Sequence, residues 1–161
     1  MTQNKIQSIY KSIVSTHLII LILTTLIIGI VYTIRKNGEL TSNEDFILLE
    51  LLVPLIAVSS FLVSHFIGKK KLNALYKRTE LQEKLSTFKQ VKVIQWVSLF
   101  GSVILASVSF LTSGQQNLLL YAMMIGVMIL YFRPIKARVI EDLNLSPEES
   151  DAFTQTDNDS F

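Results

Sequence analysis

Three residues of this sequence set ionisable chemistry inside apolar surroundings: Glu50, His17 and His65. Glu50 is the only acidic residue within any of the long apolar runs. A charge at mid-bilayer costs about 2.5–3.5 kcal/mol even on insertion scales, so a carboxylate kept there is a candidate for proton or cation coupling. Glu50 lies about one turn inside the outer end of its run, however, where it can snorkel to water. Interfacial or packing use is therefore the stronger reading. His17 and His65 are the only histidines, each about a turn inside the same end of its run and level with Gln95. Such a pair on adjacent helices has the chemistry to hold haem or a metal, or to relay protons. Two ligands without a neighbouring carboxylate make a poor metal site, and interfacial hydrogen bonding is the favoured alternative.

Other chemistry finds no foothold. There are no cysteines, which removes disulfides, thiol relays and thiolate metal sites together. No Gly-rich phosphate loop, His-Glu-x-x-His, nucleophile elbow or paired-carboxylate pattern occurs. No catalytic residue, metal site or cofactor is assigned, and the chain reads as non-enzymatic.

The elements that carry these residues follow from composition. Half of the 161 residues are apolar, and they are gathered in blocks. Runs of about 18 or more apolar residues span a hydrocarbon core of about 30 Å. The first span is expected at about 12–34, after a polar segment carrying Lys5 and Lys11. A charged start before an apolar run also describes a signal peptide. The run is long and lacks an Ala-x-Ala-like site before Arg35, so it reads as an uncleaved helix. The second span, 46–68, opens on Thr41-Ser42-Asn43-Glu44 with Asp45 in the first turn, a hydroxyl N-cap followed by acids. Pro54 is expected to kink it. The third span covers 91–112 and the fourth 118–132, the latter short, with Arg133 snorkelling at its end.

Between the second and third spans lies a basic hairpin, 69–90. Eight of the fifteen Lys and Arg residues fall between Gly68 and Lys92. Thr79-Glu80-Leu81-Gln82 reads as a new N-cap, implying a break near Arg78. Leu72, Leu75 and Tyr76 share one face before that break, and Leu81, Leu85 and Phe88 share one after it. Two arrangements compete: an amphipathic pair lying on an anionic leaflet, or two stalk helices packed together, which is favoured. Lys69, Lys70, Lys71, Lys77 and Arg78 are the expected membrane-surface or partner-binding residues. Nucleic acid is not an expected partner, because the basic residues abut the bilayer and lack stacking aromatics.

The tail, 135–161, starts basic and turns acidic, holding seven of the thirteen acidic residues from Glu141 onward. Ser146-Pro147-Glu148-Glu149 predicts a short helix to about Phe153, with disorder from about Thr154. Its acids are candidates to dock on Lys69–Lys71, Lys77 and Arg78, with a solvated tail the equal alternative, since exposed pairs contribute only about 0–1 kcal/mol each.

Four spans put both termini on one side. With that side cytoplasmic, it carries thirteen Lys and Arg residues against two on the other, as the positive-inside rule demands. Small-residue pairs (Thr25 with Gly29, Ser60 with Ser64, Ser98 with Ser102 and Ala106, Ala122 with Gly126) are the expected helix contacts. The expectation is thus an all-α, integral-membrane four-helix bundle of a cell membrane, spanning 1–134, with both termini inside. Its function is expected to be that of an accessory, scaffold or assembly subunit with a cytoplasmic interaction surface. The bilayer's anionic headgroups, a homo-oligomer or a membrane-protein partner would be its contacts. A small oligomeric transporter or channel built on Glu50 is the second reading, and a haem or metal protein using His17 and His65 the third.

Overall fold

The computed structural model describes residues 2–38, 47–74 and 80–155, and they are all-helical. Six helices follow in order: α1 (Thr2–Asn37), α2 (Ile47–Ala74), α3 (Leu81–Ser113), α4 (Gln116–Tyr131), α5 (Lys136–Leu143) and α6 (Pro147–Gln155). The signals at Thr41–Asp45 and at Arg78–Thr79, the side chains of Leu75 and Tyr76, and residues beyond Gln155 lie outside the described residues. Three helices, α1, α2 and α3, are long and apolar enough to cross a membrane. α4 and α5 are bent by 80° at the break between them.

α1 has 36 residues, about 54 Å at 1.5 Å per residue, well beyond a hydrocarbon core of about 30 Å. It starts ten residues before the apolar run because Ile6, Ile9, Tyr10 and Ile13 recur at helical spacing. Ile6 and Ile13 are buried there, with Ile9 and Tyr10 packed beside them. The polar residues in between hid this stripe in the sequence. α3 likewise extends back past its apolar portion to Leu81, burying Leu85 and Phe88. Its N-cap is Glu80, which makes no side-chain capping bond. α3 runs unbroken from Leu81 into its apolar stretch. α2 passes through Pro54 without interruption, although proline removes the donor that would pair with the Glu50 carbonyl.

α3 is the hub. It packs on α1, α2 and α4, while α1 and α2 have little direct contact. Half of α3's most apolar window is buried, against 22% for the windows of α1 and α2. The outward faces of α1 and α2 show Leu18, Ile22, Leu26, Leu51, Leu55 and Leu62, an apolar surface far larger than a water-soluble monomer exposes.

Close approach relies on small residues, though not all of the expected ones. Ser102, Ala106, Ala122 and Ser64 are buried. Gly126 lies against Thr24 and Ile28 of α1. Thr25 and Gly29 face outward, and nothing lies near a Cβ built on Gly29. The buried face of α1 passes one residue earlier, through His17, Ile20, Thr24 and Val31. Buried hydroxyls mainly bond their own helix: Ser102 donates to the Ser98 carbonyl at 3.1 Å and Ser113 to that of Ser109 at 2.8 Å.

At the end away from the basic segment, Gly114 closes α3 with φ +73°, its N–H donating to the Phe110 carbonyl at 2.8 Å. This left-handed conformation is the usual helix stop. Arg35 of α1 fills the space where a Cβ of residue 114 would go and donates to the Leu111 carbonyl at 3.3 Å.

Candidate functional site

The chemistry of this chain concentrates at its basic end, where the break after α4 leaves carbonyls without helical partners. Three side chains from outside α4 supply donors. His17 Nε2–H donates to the Ile129 carbonyl at 2.9 Å, the Tyr10 hydroxyl to the Pro134 carbonyl at 3.1 Å, and Arg138 to the Tyr131 carbonyl. Arg138 also lies 4.4 Å from the Tyr131 ring centroid. Cationic and N–H donors at a helix C-terminus also complement its dipole.

The tail folds back on this end. Val139 and Leu143 of α5 and Phe153 of α6 are buried in the same core as Ile13, Leu85 and Phe88. Thr154 and Gln155, expected to be disordered, continue α6. Phe153 meets the Tyr10 ring edge-on at 5.3 Å, with the Lys136 ammonium 5.6 Å from its centroid. α5 itself was not foreseen. Val139, Ile140 and Leu143 share one helical face, but eight residues mixed with charge gave that periodicity little weight.

Among the described residues, two ion pairs latch the tail. Lys84 Nζ meets Glu149 Oε1 at 2.7 Å, and Lys92 Nζ meets Asp142 Oδ2 at 2.8 Å. The acidic tail reads from the sequence as either solvated or docked on Lys69–Lys71, Lys77 and Arg78, whereas these pairs are to α3. The reason is position: Lys84 and Lys92 lie on the α3 face that α5 and α6 cover. Lys69, Lys70 and Lys71 are exposed on α2, and Lys77 and Arg78 lie outside the described residues.

Glu149 does two jobs. It completes the capping box read from the sequence, accepting from the Ser146 N–H at 3.0 Å while its own N–H donates to Ser146 Oγ at 3.3 Å. It also accepts from Lys84 at 2.7 and 2.9 Å through its two oxygens. Burial alone would raise its pKa, but the bonds from Lys84 and Ser146 and the Lys84 charge outweigh burial, leaving it below the ordinary glutamate value. A carboxyl whose folded pKa is depressed contributes stability above its unfolded pKa and loses it as pH falls through the folded value. α6 is therefore expected to stay docked from neutral pH down to the ordinary glutamate range and to loosen below it. Hydrogen exchange across 147–155 as a function of pH measures this, and Glu149→Gln should flatten the profile while weakening docking at neutral pH.

Beside the Lys92–Asp142 pair, two adjoining clefts of about 280 and 230 Å³ open between α2, α3, the end of α4 and α5. They share His65, Lys92, Gln95, Glu141 and Asp142. Lys69 and Asn73 line the first, and Phe132, Arg133 and Arg138 the second. Sequence reasoning singled out His65, Lys69 and Gln95 separately. It missed their meeting with Lys92, Arg133 and Arg138. Lys84, Phe88, Lys92 and Gln95 fall at intervals of four, four and three, so one stripe of α3 carries the latch lysines and the cleft wall.

The histidines are not brought together as a pair. His17 is buried with its ring 4.9 Å from that of Trp96, whereas His65 stacks on Phe61 at 5.9 Å and lines the cleft with Gln95. Consecutive positions on a helix point roughly 100° apart, so Gln95 and Trp96 direct the two imidazoles to different sides of α3. With His17 Nε2 engaged by a carbonyl, only its Nδ1 is left for other partners. Glu50 sits in the first turn of α2 and accepts from Asn117 Nδ2, in the first turn of α4, at 3.1 Å. This places it at the helix ends opposite the basic cleft and not in mid-span. Compared with protein-family models, curated proteins and solved structures, the chain matches none of them.

Proposed function

We propose that this chain is a non-enzymatic accessory or scaffold subunit of a cell membrane, with four crossings and both termini in the cytoplasm. The observation that carries the reading is the latched cap. The basic ends of α1 and α3 run beyond their apolar stretches, and the tail helices close onto them through Phe153, Glu149 and Asp142. A charged, folded surface held rigidly at the membrane boundary suits recognition of a neighbouring protein. The orientation rests on thirteen basic residues at the cap end against two at the other. For the fourth crossing, α4 has 16 residues, about 24 Å of helix. Arg133 at its end allows the shortfall to be met by snorkelling and local thinning.

The test is co-purification of a tagged full-length chain from native membranes in mild detergent, with native mass determination, beside a copy truncated after Ile140. The expected result is a reproducible partner that the truncated copy loses, since truncation removes Asp142, Leu143, Glu149 and Phe153. A homo-oligomer without partners, unchanged by truncation, would sink the scaffold reading and turn attention to transport, with Glu50→Gln as the next variant.

A further inference from the structure

We propose that the basic cleft and the groove between α2 and α4 form one binding site for a single anionic glycerophospholipid. The proposal rests on the membrane placement given above and adds a ligand to it. Four cationic side chains line the clefts, Lys69, Lys92, Arg133 and Arg138, against two carboxylates, Glu141 and Asp142. The Lys92–Asp142 pair is internally neutral, so the remaining charge is an excess of cations. Lys69 and Arg133 are exposed, leaving both ammonium and guanidinium free to turn toward a phosphodiester. Charge-assisted bonds from such groups to phosphate are the stronger class of hydrogen bond. The clefts lie where α2 passes from Ile67 and Gly68 to Lys69, and α4 from Tyr131 to Arg133. That is the depth of a headgroup.

On the other side of Phe61 from the clefts, an apolar groove of about 240 Å³ lies between α2 and α4, walled by Pro54, Val58, Phe61, Tyr121, Met124 and Met128. Phe61 is the hinge between groove and cleft. Its ring lies 5.9 Å from His65 and 5.4 Å from Phe132, and both of those line the polar cleft. α2 and α4 touch only sparsely, so the space is not closed by packing. Pro54 to Phe61 covers seven residue steps, about 10 Å of rise, a length suited to the upper part of an acyl chain. Methionines give the wall an adaptable surface. A phosphate on one side of Phe61 and an acyl chain on the other match a glycerophospholipid and no soluble anion. The excess of cations selects an anionic headgroup over a zwitterionic one.

The test is native mass spectrometry of the full chain in mild detergent, titrated with phosphatidylglycerol or phosphatidylcholine. One phosphatidylglycerol is expected to stay bound, about tenfold tighter than phosphatidylcholine. Lys69→Gln with Arg133→Gln should erase that preference. Val58→Trp, at an exposed groove position, should weaken both lipids by about tenfold. Inorganic phosphate should not displace the bound lipid. Equal binding of the two lipids, indifference to the charge variants, or displacement by inorganic phosphate would each overturn the proposal; the last would mean a free-anion site. The absence of cysteines allows a separate check on placement, by labelling single Asn37→Cys and Thr154→Cys copies in intact cells. Labelling of Asn37→Cys alone upholds the orientation even if lipid binding fails. Labelling of Thr154→Cys alone overturns the orientation and, with it, the cytoplasmic-leaflet site.

Discussion

Gly68→Ala is expected to destabilise the helical assembly by about 1–3 kcal/mol, the usual range for an added methyl in a packed core. A Cβ built at Gly68 would stand 2.5 Å from Val91 Cγ1 and 3.1 Å from Gln95 Nε2. Real carbon contacts are longer, so something must move. Val91 is 2% exposed and β-branched, with little rotamer freedom on a helix. The adjustment therefore falls on the separation of α2 from α3, and α2 has few other neighbours. Thermal unfolding in detergent measures the loss. The double variant Gly68→Ala with Val91→Ala discriminates the cause: if the clash is at fault, the second change recovers stability although it removes buried methyls. If the double variant is less stable than either single one, the close approach at Gly68 is not what holds α2 in place.

Phe153→Ala is expected to release the tail. Phe-to-Ala truncations in well-packed sites cost about 3–5 kcal/mol, and Phe153 is 1% exposed. α6 has nine residues, and its remaining attachment is chiefly the Lys84–Glu149 pair. Losing the ring should leave that pair unable to hold α6, while α1 to α4 stay assembled. A glutamate-specific protease should then cut at Glu148 or Glu149 much faster, leaving a core of near-native helical content. Phe153→Leu, which keeps an apolar side chain facing Tyr10, should keep most of the protection. Equal cleavage of the original chain and Phe153→Ala would mean that the ring does not anchor the tail.

The apolar runs and the α6 capping box could be read directly, because hydropathy and N-cap chemistry act over a few consecutive residues. What escaped reading depended on partners. The start of the chain looks polar until Ile6, Ile9, Tyr10 and Ile13 are seen in or against the core that also buries Phe153. The tail's acids were aimed at the densest basic cluster, Lys69–Lys71, when burial of α5 and α6 instead selects Lys84 and Lys92. Charge density carries no information about which face a neighbouring helix covers. The histidines were paired by position along their helices, whereas the side of α3 that each takes depends on azimuth, set by the packing of α3 between its neighbours. Thr25 and Gly29 failed for the same reason, by a single residue.

The hub position of α3 has a consequence for biosynthesis. While only α1 and α2 have been made, they share almost no surface and have nothing to assemble on. α3 supplies the missing interface for both at once. Its most apolar 18-residue stretch is also the least apolar of the three, with mean hydropathy 1.8 against 2.5 and 2.0, and its buried serines gain little from lipid. On the membrane placement proposed above, its insertion is helped by the two helices made before it. A ribosome stalled before Leu81 holds two long apolar helices that share almost no interface among the described residues.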